Sequence, residues 1–165
     1  MAMEQKPRIK LPPVEQIGIV VEDVDRAVQF YSSVFGWGPF QILQSDIKGF
    51  IYRGRSVDCR MKVALAQSGP IEIELIQVLE GDTIWTDFLR EKGEGIHHLR
   101  FHVDDLDGTL AELAKEGIEP VFHKDFTEFG VKFAYLNTDR IGGVVFELIE
   151  EERRGGGRSS RRWGR

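Results

Sequence analysis

A glutamine, a histidine and two glutamates stand at positions that internal similarity makes equivalent. The segment QIGIVVEDVD at 16–25 aligns with HLRFHVDDLD at 98–107, a shift of 82 that sets Gln16 against His98. A second pair, IELIQ at 73–77 and FELIE at 146–150, is related by a shift of 73 and sets Glu74 against Glu147. Together the four side chains offer one imidazole nitrogen and several oxygens. That donor set suits a hard-to-borderline divalent ion such as Zn, Ni, Co, Mn or Mg, and spacing alone does not select among them.

The elements that must position these residues follow from periodicity. In a strand, alternate side chains share a face. His98, Arg100 and His102 therefore lie opposite Leu99, Phe101 and Val103, and Gln16, Gly18 and Val20 lie opposite Ile17, Ile19 and Val21. Glu72 and Glu74 share one face of their strand, and Glu147 sits with Val145 and Ile149 on one face of the last. His97 falls on the parity opposite to His98. Arg100 and His102 are open to two roles, meeting an anionic group of a substrate or pairing with the surrounding acids.

Each first strand runs into an Asp-rich turn able to cap a helix. The first helix reads DRAVQFYSSVF, with Ala27, Phe30, Tyr31 and Val34 as its stripe and Gly36 as its stop. Its counterpart reads DGTLAELAKE, with Leu110, Leu113 and Ala114 as the stripe and Gly117 as the stop. Strands are expected near 40–53 and 60–67 in the first half and near 119–123 and 131–137 in the second. The fold class is thus α+β: two βαβββ modules, 14–80 and 96–150, form a curved mixed sheet, a cup around a metal site. A helix over 82–93 links them.

Composition bounds the function. The chain has 165 residues, 41% hydrophobic and 30% charged, enough apolar material for a core. One cysteine, Cys59, excludes an internal disulfide framework and fits a reducing, cytoplasmic location. No apolar run approaches the ~20 residues of a membrane span, and the opening residues MAMEQKPRIKLPP carry no signal-peptide core. The net charge is −5, and the six arginines of 153–165 leave −11 on the rest, which argues against nucleic acid as a partner of the folded part. Residues 1–13 are expected to form an extension and 151–165 a disordered Arg/Gly tail.

Over 14–150 the sequence resembles the vicinal oxygen chelate superfamily, which builds two βαβββ modules around a metal. The stretches that carry this are QIGIVVEDVDRAVQFY, IELIQVLEGD, GEGIHHLRFHVDDLDGTLAELAKEGI and GGVVFELIE. The middle portion is most similar to methylmalonyl-CoA epimerases. Those enzymes begin the first strand with His, where this chain has Gln16, and carry a glutamate in the middle strands of the first module, where it has Asp46 and Asp58. Gln16, Glu74, His98 and Glu147 in that order resemble the metal quartet of animal-type glyoxalase I enzymes. The Asn those enzymes carry shortly after the ligand Glu is missing from IELIQVLEGD.

The resemblance implies a metal-dependent isomerase or epimerase that abstracts a proton α to a carbonyl, with a small-molecule substrate such as an acyl-CoA. Glu147 would be the base, Glu74 or Asp46 would reprotonate the other face, and Arg100 would bind substrate. Two alternatives use the same scaffold: a lactoylglutathione lyase, and a non-enzymatic binding protein with an aromatic cleft drawn from Phe50, Tyr52, Trp85, Phe126, Phe129 and Tyr135. The resemblance also implies a homodimer, with the cup closed within one chain or across two.

Overall fold

A computed structural model describes residue 7 and residues 9–152. The tail at 153–165 and the opening residues 1–6 and 8 lie outside the described residues. The first module contains β1 (Gln16–Val20), α1 (Val24–Phe35), β2 (Gln41–Tyr52), β3 (Arg55–Ser68) and β4 (Ile71–Glu80). After α2 (Ile84–Lys92), the second repeats the order as β5 (Gly95–His102), α3 (Leu106–Ala114), β6 (Pro120–Phe126), β7 (Val131–Leu136) and β8 (Val145–Glu151). No helix among the described residues is long and apolar enough to cross a membrane.

The helices start where the repeat says they should. Asp23 and Asp105, 82 residues apart, adopt extended backbone and accept hydrogen bonds from the N–H groups of Arg26 and Gly108. Each satisfies an amide that the helix itself cannot, a contribution of about 1 kcal/mol. The first helix stops at Gly36, whose φ of 63° is a left-handed conformation costly for a side chain. Its packing stripe differs from the expected one. Val24, Ala27, Val28 and Tyr31 rest on the sheet beside Ile73 and Leu75, whereas Phe30 and Val34 are exposed. The true stripe begins a turn earlier, at Val24, and that rotation carries Phe30 and Val34 to the solvent side.

The eight strands close on themselves in the order β1-β4-β3-β2-β6-β7-β8-β5. Within each module the first strand pairs parallel with the last, and the remaining pairs are antiparallel. Two seams join the modules, β1 with β5 and a short β2–β6 contact at Ile51–His123 and Tyr52–Phe122. The cup is therefore complete within one chain. Because the sheet curls, alternate residues face in or out. Outward-facing apolar side chains pack under α1 and α3, where Leu11 and Val14 from the chain's start also join the second module's cluster. Inward-facing ones, joined by Trp85 from α2, form the central cluster of Phe50, Ile76, Phe122 and Ile149.

Strand limits depart modestly from the sequence reading. The third strand starts at Arg55 rather than near 60, because Arg53 and Gly54, both at positive φ, make a tight hairpin. The sixth extends to Phe126, and β8 runs to Glu151, which pairs with Val131 instead of opening the tail.

Candidate functional site

Register explains why the four predicted donors meet. On β1, Gln16 has Glu72 of β4 on one side and Arg100 of β5 on the other. Two residues along, Gly18 has Glu74 and His98 as neighbours. On the far side of β5, Arg100 pairs with Glu147 of β8. The imidazole of His98 lies across the place where a side chain at 18 would stand: a Cβ there would fall 1.9 Å from His98 Cε1. Glycine makes that crossing available. His98 Nε2 thereby comes 3.2 Å from Gln16 Oε1, 3.5 Å from Glu74 Oε2 and 3.3 Å from Glu147 Oε2.

The site is buried and charged. Gln16, His98 and Glu147 are at most 5% exposed. Burial opposes a charge on His98, but the contacts with Glu147 and Glu74 outweigh it and raise its pKa to about 8. Glu147 Oε2 is buried, and the His98 ring 3.3 Å away is the group that faces it. A buried carboxylate is costly, and a cation beside it, a charged imidazole or a metal ion, is what it accepts best. Among the described residues no three His, Cys, Asp or Glu side chains stand as a ready-made cage. The donors nonetheless fit a divalent ion: one nitrogen and three oxygens, with separations from His98 close to the ~3.0–3.5 Å expected between donors that each sit about 2.1 Å from one ion.

His97 departs from its expected parity. The pairing of β1 and β5 shifts register after Gly18–His98, resuming at Ile19–Ile96, so His97 is the extra residue of a bulge. It is 1% exposed, packs edge-on against Phe88, and lies near Tyr135. Burial, with help from the charges of His98 and Lys92, pushes its pKa down to about 2. Its Nδ1 is 3.1 Å from His98 Nδ1. A neutral His97 can accept the His98 Nδ1–H, which fixes the ring and turns Nε2 toward the oxygens. Tyr135 stands edge-on to His98, its hydroxyl pKa raised well above 10 by burial and by the charges of Glu147 and Glu74.

Arg100 belongs to the same patch. It is 5% exposed and lines the cavity, with Nε donating to Glu15 at 2.9 Å and Nη2 to Glu72 at 3.1 Å. Its charge is favoured by Glu147 and Glu74 as well as by Glu15 and Glu72, which together outweigh burial. His102, on the same face, is half-buried with Nδ1 3.9 Å from Glu15 Oε2, and it does not line the cavity.

The polar patch forms one part of the wall of a cavity that opens to solvent. The remaining wall is apolar apart from Ser45, formed by Ile47, Phe50, Met61, Val63, Leu65, Trp85, Phe126, Phe133 and Ile149. Of the aromatic residues expected in a cleft, Phe50, Trp85, Phe126 and Tyr135 line it, Tyr52 belongs to the core, and Phe129 is exposed. Phe133 joins them, a residue its alternation with Tyr135 on β7 would have indicated.

Asp46 and Asp58 do not reach this space. Ser45 and Ile47 take the inward positions on β2, so Asp46 between them points out and pairs with Lys48. Asp58 also pairs with Lys48 and accepts the Gly49 N–H. Glu72, Glu74 and Glu147 are the carboxylates lining the cavity among the described residues.

A one-chain cup of paired βαβββ modules, with polar donors converging from both, defines a class of fold before any sequence is compared. The profile of the Glyoxalase/Bleomycin resistance protein/Dioxygenase superfamily matches residues 15–135, and the chain belongs to that superfamily. An uncharacterised Bacillus subtilis protein, YqjC, is 28% identical over 139 residues, covering 83% of this chain and 91% of the relative. The mitochondrial methylmalonyl-CoA epimerase of Mus musculus is 25% identical over 147 residues, 88% of this chain and 76% of the relative. Among solved structures, a methylmalonyl-CoA epimerase in complex with methylmalonyl-CoA and NH4+ superimposes with a TM-score of 0.60 at 23% identity, covering 87% of this chain and 97% of the other.

Proposed function

We propose that the protein is a metal-dependent epimerase that removes and returns a proton on the carbon next to the carbonyl of an acyl thioester. The observation that carries this reading is the pair Glu74 and Glu147, on repeat-related strands, set 3.5 and 3.3 Å from His98 Nε2 at the polar end of an apolar cavity. Kinship with methylmalonyl-CoA epimerases supports the substrate class.

Gln16, Glu74, His98 and Glu147 would hold the ion, and a divalent ion there supplies stabilisation of the negative charge that develops on the carbonyl oxygen. The chain's own residues handle the proton. Glu147 takes it from the α carbon, and the electron pair of the broken C–H bond moves toward the carbonyl. A carboxylate has acceptor capacity for both an ion and a proton. Glu74, arriving from the other module, delivers a proton to the opposite face and inverts the centre. The apolar wall excludes water, which preserves the strength of these charges.

The test is solvent-deuterium incorporation into methylmalonyl-CoA by the metal-loaded protein. Glu147→Gln is expected to slow exchange by about 10²–10⁴-fold, the usual contribution of a positioned acid or base. Full exchange by that variant would overturn the assignment. A glyoxalase-type lyase is favoured by one observation, the glutamine at position 16 in place of histidine. Turnover of methylglyoxal with a thiol, and no exchange into acyl-CoA, would select it.

A further inference from the structure

We infer that Glu72, a residue with no part in the proton transfer, positions the amide of Gln16 so that its oxygen faces the ion. The inference rests on the reading of Gln16 as a ligand and extends it to the residue behind it.

A glutamine amide has a donor end and an acceptor end of nearly equal size. Only the oxygen can ligate a cation; with the amide turned over, two N–H groups would face it. Something must therefore choose between the two orientations. Glu72 does so because an ionised carboxylate accepts and never donates. Gln16 Nε2 donates to Glu72 Oε1 at 2.7 Å, which leaves Gln16 Oε1 aimed at His98 Nε2, 3.2 Å away.

Glu72 is itself held. The same Oε1 accepts Arg100 Nη2 at 3.1 Å, and Arg100 Nε is bound to Glu15 at 2.9 Å. Cross-strand register brings the pieces together, since Gln16 is directly opposite both Glu72 and Arg100. A continuous path thus runs Glu15–Arg100–Glu72–Gln16–His98, spanning β1, β4 and β5. It assigns Arg100 a task besides any contact with substrate: keeping Glu72 in place. With two donors already on Oε1, Glu72 is suited to orienting a neighbour rather than to carrying a proton.

Calorimetric titration of the metal-stripped protein with Co²⁺ or Zn²⁺ tests this without any assay of turnover. Glu72→Met removes the acceptor at nearly constant volume. Glu72→Gln removes the charge but keeps an oxygen able to accept from both Gln16 and Arg100, and Arg100, which can only donate, holds that oxygen rather than the new NH2 toward them. The expected result is a 10–100-fold loss of affinity for Glu72→Met, the usual effect of an outer-sphere partner, and a loss within about threefold for Glu72→Gln. The visible spectrum of bound Co²⁺ should change in Glu72→Met and not in Glu72→Gln. Equal losses in both variants would mean that only the negative charge matters, and no loss in either would mean that Gln16 orients itself; both overturn the proposal. Thermal melting of the metal-free variants establishes that each is folded, and Glu72→Ala carries the same expectation if the methionine variant is not. Failure of the wild type to bind an ion, or undiminished binding by Gln16→Ala, would instead overturn the reading of Gln16 as a ligand.

Discussion

At Gly18 a hydrogen stands where any other residue carries carbon, and the ring of His98 occupies that space. The nearest ring atom to a built Cβ is 1.9 Å away, far inside any tolerable contact, and His98 is fully buried with core on its other side. The ring cannot slide away without losing His97 or the oxygens around Nε2. Gly18→Ala is therefore expected to leave a folded protein whose ion affinity falls by at least about 100-fold, since it removes the nitrogen from a four-donor set. Titration calorimetry beside a far-UV spectrum checks it; wild-type affinity would show that the ring has another way into the site.

The two Asp-capped helices make a matched test of the repeat at the scale of elements. Asp23 and Asp105 perform the same bond in the same geometry, each to the N–H three residues on. Each cap variant, Asp23→Ala and Asp105→Ala, should lower stability by about 1 kcal/mol in urea titration. Their effects should add in the double variant, because the caps belong to helices packed on separate clusters. The helices do not touch the donors. Their contribution is to cover the sheet's outer face, so that the alternate residues of β1, β4, β5 and β8 are obliged to face inward. A bulge in β5 breaks the strict alternation there, and it sends both His97 and His98 inside.

For the whole molecule, the division of donors between modules has a thermodynamic consequence. Gln16 and Glu74 come from the first module, His98 and Glu147 from the second, and the strands bearing Gln16 and His98 form one of the two seams. An ion bound by all four would hold the modules together and bind only the folded chain. At a free ion concentration 100 times its Kd, stability should rise by about 2.7 kcal/mol, and a chelator should reverse it. Differential scanning calorimetry reads this as one cooperative transition moving upward. A transition that splits, with one module melting at its metal-free temperature, would show that the ion is held by one half alone.

Much of this was written in the linear order of residues. The repeat at a shift of 82 paired Gln16 with His98 and Asp23 with Asp105, and alternation placed Glu72, Glu74, Arg100 and Glu147 on inward faces, because a strand's period of two is a local property of the backbone. The module order and the meeting of Gln16, Glu74, His98 and Glu147 were legible from those patterns, and the motifs resembled those of the superfamily. What depended on tertiary structure were the features set by how strands meet. The register of β1 between β4 and β5 tied Glu72 and Arg100 to Gln16. The bulge buried His97, the turn of α1 exposed Phe30, and the inward places of Ser45 and Ile47 sent Asp46 outside. None of these is visible along one strand, because each is decided by packing between elements distant in sequence, where a shift of a single residue reverses which side chain faces the cavity.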